Sequence, residues 1–225
     1  MKPEILEHDL KAVLFDLDGT LLDTRDLILA SMRYAYTTVL GAETLPSDQD
    51  FLSLVGIPLK TQMEMLAAER SQEMFDAYLK RNDQIQDKLL KGFDGTAATL
   101  LALQEQGYRM AVVTSKRHVA AMNGLAHIGL AAYFEFLLGA DDTSEHKPQP
   151  GPLLDAAAIM DLEPEECTYL GDSAYDMLAA RAANMFAVGA LWGMSTPEAL
   201  AEAGAEILIS HISQLPDAIL NFPMP

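Results

Sequence analysis

Residues 12–20 read Ala12-Val13-Leu14-Phe15-Asp16-Leu17-Asp18-Gly19-Thr20, an apolar run that ends in two carboxylates with one residue between them. Alternate residues of an extended chain share a side, so Asp16 and Asp18 can face one small site. Carboxylates held that close repel, and one takes up a proton unless a cation intervenes. A divalent cation such as Mg2+, which takes oxygen ligands in octahedral array and keeps some of its waters, resolves the conflict. Gly19 permits the change of backbone direction that follows. The same two acids could instead cap a turn.

Three further groups follow in chain order. Val112-Val113-Thr114-Ser115-Lys116 ends an apolar run in two hydroxyls that could hold a phosphoryl oxygen or cap a helix. His146-Lys147-Pro148-Gln149-Pro150 presents a lysine in a proline-stiffened turn, or merely on solvated surface. Tyr169-Leu170-Gly171-Asp172-Ser173-Ala174-Tyr175-Asp176 ends another run in a glycine and two acids, which would also suit a helix N-terminus. Each group has an ordinary structural explanation by itself; their joint occurrence at successive strand ends points to one site.

The elements that must position these residues are legible as short apolar runs alternating with amphipathic stretches, the pattern of a parallel α/β sheet. Strands are expected at Ala12–Phe15, Met110–Thr114, Phe134–Leu138, Thr168–Leu170, Met185–Val188 and Ile207–Ile209. A helix should span Gly95–Gln106 and stop at Gly107, and another should start at Thr196-Pro197-Glu198 and end at Gly204. From Leu22 to about Lys91 the alternation lapses: no strand is expected, only helical patterns such as Asp26–Leu40 and Leu59–Lys80. The chain therefore divides into a Rossmann-like core, residues 1–22 and 92–225, and an inserted all-helical domain, residues 23–91, with hinges near Leu22–Thr24 and Leu90–Asp94. Met63, Met65 and Met74 are assigned to packing within the insertion.

Composition narrows the field. The 225 residues include 33 acidic and 15 basic side chains, a net charge of −18 that repels nucleic acid. An anionic substrate approaching such a protein needs a local metal or lysine. The single cysteine, Cys167, makes no internal disulfide and suits a reducing cytoplasm. Residues Met1–Leu10, with Glu4, Glu7 and Asp9, lack the apolar stretch of a signal peptide, and no run approaches the ~18 apolar residues of a membrane span. A cytoplasmic protein, monomer or homodimer, is expected, without membrane or nucleic-acid partners. The five histidines show no close pairing on a helical face, so zinc is not expected.

Taken together, these motifs resemble the haloacid dehalogenase superfamily of phosphatases, over essentially the whole chain. The resemblance implies a Mg2+-dependent phosphohydrolase in which Asp16, taken as fully ionised at neutral pH, attacks phosphorus and forms an aspartyl-phosphate. Asp18 would protonate the leaving oxygen and then activate water. Thr114 would hold the phosphoryl group with Ser115 beside it, and Lys147 would balance charge. Mg2+ would be held by Asp16, the backbone carbonyl of Asp18, and Asp172, with Asp176 acting directly or from behind. Gly19, Thr114, Ser115 and Lys116, with Gly56 from the turn Val55-Gly56-Ile57-Pro58-Leu59, make up the substrate-facing set.

The second aspartate argues against the dehalogenase and phosphonatase branches. The helical insertion resembles the cap of the phosphoglycolate phosphatase-like group, which makes 2-phosphoglycolate the leading small phosphate ester and Lys60 a candidate partner for its carboxylate. A β-phosphoglucomutase-type mutase is disfavoured, because Ile57-Pro58-Leu59-Lys60 stands where an arginine and serine cluster is usual. Pyrophosphatase or nucleotidase activity stays open. A binding module on an inactive core is disfavoured by the intact acids and lysine.

Overall fold

A computed structural model describes residues 10–221; the N-terminal stretch read for a signal peptide, up to residue 9, lies outside them. The first strand, β1 (Ala12–Phe15), is buried throughout. It is followed by β2 (Leu22–Asp23) and a helical stretch: α1 (Arg25–Leu40), α2 (Asp48–Leu52), α3 (Leu59–Ala67) and α4 (Ser71–Leu89). β3 (Lys91–Gly92) closes that stretch by pairing antiparallel with β2, Leu22 opposite Gly92 and Asp23 opposite Lys91. The segment expected to hold no strand thus begins and ends in a two-residue ribbon, too short to leave any periodicity in the sequence.

The rest alternates: α5 (Thr96–Glu105), β4 (Arg109–Val113), α6 (His118–His127), β5 (Leu137–Leu138), α7 (Gly151–Ile159), β6 (Cys167–Gly171), α8 (Ala174–Ala182), β7 (Phe186–Ala190), α9 (Pro197–Ala203), β8 (Ile207–Ile209) and α10 (Leu215–Leu220). Among the described residues the large sheet has six strands, all parallel, in the order β5-β4-β1-β6-β7-β8. β1 lies between β4 and β6, with Phe15 level with Val112 and Leu170. Asp16, Thr114 and Asp172 each follow the last residue of one of these three neighbours. Successive strands leave β1 in opposite directions along the sheet, and such a switch point opens a crevice at the carboxyl ends, where ligands bind in open α/β sheets.

Strand periodicity divides the apolar residues between two layers. Val13 and Phe15 of β1, with Met110 and Val112 of β4, pack against α5, α6 and α10. Ala12 and Leu14, with Ala111 and Val113, pack against α7, α8 and α9. A third cluster belongs to the helical stretch and gathers Ile28, Met32, Phe51, Met63, Met74 and Tyr78. Met65, assigned with its neighbours to packing, is 61% exposed, because it falls on the outer face of α3.

Local signals account for most boundaries. Thr196 accepts a hydrogen bond from the Ala199 amide at the start of α9, Pro197 occupies the first turn, and Gly204 ends it at φ 107°. The helix expected over Leu59–Lys80 is broken: Ala68 takes φ 35°, a short 3-10 turn crosses Ala68–Arg70, and α4 starts anew and runs to Leu89. The strand expected over Phe134–Leu138 shrinks to Leu137–Leu138, since residues 131–133 form a 3-10 turn and only the end lies along β4. No helix among the described residues is long and apolar enough to cross a membrane.

Candidate active site

At the end of β1, Asp16 is buried and receives a hydrogen bond from Lys147 Nζ at 2.8 Å. The same ammonium reaches Asp176 Oδ1 at 2.5 Å and the Tyr169 hydroxyl at 3.0 Å. Tyr169 donates to the Val113 carbonyl at 2.8 Å, which fixes its ring under β4. The remaining Asp176 oxygen accepts from the Ser173 amide at 2.9 Å and its hydroxyl at 2.6 Å, while Ser173 Oγ caps α8 by accepting from Asp176 N. The capping box thus serves two purposes, starting the helix and holding a carboxylate still. Lys147, read as a lysine in a turn, is 3% exposed and forms the centre of this network.

Asp172 lies beside this group. Thr20 Oγ1 donates to one of its oxygens at 3.0 Å and the Met194 amide to the other at 2.8 Å. Gly19, at φ 84°, closes over it: a Cβ there would meet the Asp172 carboxylate, as would one on Gly193. Asp16, Asp172 and Asp176 bring carboxylate oxygens within 4.8 Å of one another.

The acids' charge states follow from this crowding. Burial pushes Asp16 up to about 7, with the charges of Asp176 and Asp18 adding to the rise and Lys147 opposing it. Asp172 is raised well above the carboxylate range by burial and then by Asp176 and Asp16, against the two hydrogen bonds it accepts. Burial works against the charge of Lys147, but Asp16 and Asp176 outweigh it and hold the ammonium firmly charged. Burial and the neighbouring acids thus oppose the ionised state expected of Asp16, while Lys147 favours it and a cation bound among the acids would favour it further. Asp16 and Asp176 share one ammonium while Asp172 accepts from uncharged donors, and three clustered carboxylates, as hard oxygen donors, fit a divalent cation. The donor chemistry agrees with the ion the sequence implied.

Asp18 is placed differently. Both its oxygens lie 3.0 Å from Lys116 Nζ, and its carboxylate stands outside the group of three. Asp16, Asp18, Thr114, Ser115, Lys116 and Gly56 all line one cleft of about 690 Å3, its open mouth included. Thr114 is buried, its Oγ1 accepting from the Lys116 amide at 3.2 Å. Ser115 donates to the Gly56 carbonyl at 2.6 Å, so the helical stretch touches the strand ends directly. Gly56 has φ 111°, and a Cβ on it would lie 2.6 Å from Ser173 Oγ. Lys60, by contrast, is exposed and does not line the cleft.

The family model described as haloacid dehalogenase-like hydrolase matches residues 13–190. The chain belongs to that family. It is 34% identical over 177 residues to a protein named pyrophosphatase PpaX from Halalkalibacterium halodurans, a match covering 79% of this chain and 81% of the relative. A pyrophosphatase PpaX of Anoxybacillus flavithermus is 32% identical over 208 residues, 92% of this chain and 95% of the relative. Among solved structures, a hydrolase from Pseudomonas syringae superposes with a TM-score of 0.85 at 23% identity, covering 95% of this chain and all of that one, which shows the fold.

Several residues around the site were not singled out by sequence reasoning. Thr20 and Tyr169 lay inside quoted motifs, and their contacts depend on side-chain direction. Gly193 and Met194 sit in the loop after β7, where nothing in the sequence marks them. Gln62 lines the cleft from α3 and has no motif of its own.

Proposed function

We propose that this hydrolase cleaves a small phosphate monoester through a covalent phosphoaspartate on Asp16. The observation that carries the reading is the position of Asp16: buried at a strand end against Lys147, in a cluster of three carboxylates, and facing a cleft that Asp18, Thr114 and Ser115 share. An Asp16 oxygen attacks phosphorus as the bond to the leaving oxygen breaks, and Asp18 gives that oxygen its proton. In the second step Asp18 takes a proton from water, the water oxygen attacks phosphorus, and the Asp16 carboxylate departs with inorganic phosphate as product. Thr114, Ser115 and Lys147 hold the transferring oxygens and offset their charge. Mg2+ bound by Asp16 and Asp172 would supply the further positive charge that phosphoryl transfer needs. We assign Asp176 to Lys147 and Ser173, behind the ion.

We further assign residues 23–91 as a cap over a core made of the remaining chain. An apolar cluster drawn from it except for Met194, the β2–β3 ribbon at its base and the Gly56 to Ser115 contact support that division. A cap excludes water while phosphorus is transferred. A second reading, hydrolysis of pyrophosphate, is favoured by the name of the relatives.

Purified protein is expected to release p-nitrophenol from p-nitrophenyl phosphate in Mg2+ and to stop on chelation. Asp16→Asn should lower kcat at least ~10³-fold with unchanged circular dichroism. Turnover that survives chelation, or a well-active Asp16→Asn, would refute the mechanism.

A further inference from the structure

The insertion's side of the cleft has a chemistry of its own. Ile28, Val55, Ile57, Leu59 and Leu79 line it together with the uncharged polar Gln62, Tyr78 and Asn82, and among the described residues no lysine or arginine of the insertion does. Both basic residues lining the cleft come from the core and already face carboxylates: Lys116 faces Asp18 at 3.0 Å, and Arg117 Nε lies 3.7 Å from Asp141. A second phosphate or a carboxylate on the leaving group would meet a wall of apolar and uncharged polar side chains that brings no cation of its own, an arrangement that penalises buried charge.

Gln62 stands in that wall and is only 6% exposed. Its Nε2 donates to the Ile57 carbonyl at 2.8 Å. Only the amide nitrogen can make that bond, so the orientation of the group is fixed and Oε1 points elsewhere. Oε1 is buried and has no hydrogen-bond partner. A buried acceptor left unpaired is costly, and pairing it recovers that cost. The complementary ligand is a donor. Ionised phosphate and carboxylate oxygens are acceptors only, whereas a hydroxyl donates.

We propose that Gln62 is a specificity-determining residue that accepts a hydrogen bond, through Oε1, from a hydroxyl on the leaving group of an uncharged, hydroxylated alkyl phosphate. The inference rests on the phosphomonoester reading above and narrows it. It sets the chain apart from a hydrolase of pyrophosphate or of a carboxylated ester, because it matches the wall's missing charge and its buried unpaired acceptor to the same ligand.

The test compares kcat/KM for glycerol 1-phosphate, propyl phosphate and pyrophosphate, with p-nitrophenyl phosphate as a reference. The two alkyl esters share a length and differ in their hydroxyls. Wild-type protein should prefer glycerol 1-phosphate to propyl phosphate at least ~10-fold, since a site built to bond a hydroxyl rejects the analogue lacking it. Gln62→Met, similar in length and without the amide acceptor, should bring that ratio close to one. A wild-type ratio near one, a ratio that persists in Gln62→Met, or pyrophosphate outrunning both esters would overturn the inference. Should Gln62→Met fail to fold by circular dichroism, Gln62→Leu and the wild-type ratio decide. A wild type inert toward every ester, p-nitrophenyl phosphate included, would instead remove the reading beneath.

Discussion

On the strand side of the cleft, Asp16, Asp172, Asp176, Lys147 and Tyr169 are buried and each is hydrogen-bonded. On the helix side, polar groups are few and some are left incomplete. The buried side-chain polar atoms without a hydrogen-bond partner among the described residues lie on Thr24, Gln62 and Arg81, all within residues 23–91. The strand side must hold its charges in one arrangement before substrate arrives, since preorganised dipoles and ions do most of the work of phosphoryl transfer. On the reading proposed above, the helix side has only to favour one leaving group, so it can keep an open valence for the ligand to fill. Chemistry and recognition are thus built from differently finished surfaces.

The most severe way to break the contrast is to unbalance the finished side. Lys147→Met removes the sole ammonium from among Asp16 and Asp176, side chains that are 2%, 6% and 0% exposed. Stability to urea should fall by about 3–5 kcal/mol, the cost of leaving a buried pair without its partner. A loss below ~1 kcal/mol would mean that the carboxylates do not depend on the lysine. Lys116→Met is milder, since that pair with Asp18 is partly solvated. Folding stability should move by less than ~1 kcal/mol. The kcat for an alkyl phosphate should drop about 10²-fold, because Asp18 loses the group that aims it at the leaving oxygen. The effect should shrink for p-nitrophenyl phosphate, whose leaving group needs no proton; equal losses on both esters would count against that positioning role. Gly56→Ala probes the seam itself. Its φ of 111° and a Cβ 2.9 Å from Tyr175 Cδ2 should cost roughly 1–3 kcal/mol of folding stability, read as a lower unfolding midpoint together with a raised KM. An unchanged KM would separate the Gly56 turn from substrate binding.

The strand-side residues were legible because each chemical group directly follows an apolar run, and strand ends in a parallel sheet converge whatever the intervening sequence. Asp16, Thr114 and Asp172 needed no more than that. Lys147 was visible as a lysine in a proline turn, but its burial was not, since the turn's direction depends on how α7 packs. Tyr169 was read as part of a strand; that its hydroxyl would reach Lys147 depends on which sheet face it occupies. The helical stretch was harder. Periodicity marked helical patterns over Asp26–Leu40 and Leu59–Lys80, but not the short α2, and the break at Ala68 has no glycine or proline to announce it. The rotation that turns Gln62 inward and Met65 outward is set by packing against α4. Ribbon β2–β3 was hidden for a different reason, being two residues on each side.

Met194 joins the contrasting halves in one residue. Its backbone amide donates to Asp172, and its side chain is buried in the cluster of Ile28, Met32 and Tyr78. A swing of the helices that lets product escape would have to extract this thioether or drag its peptide along. Under the cap assignment proposed above, either would loosen the grip on Asp172, so the acids would be fully held only with the helices in place.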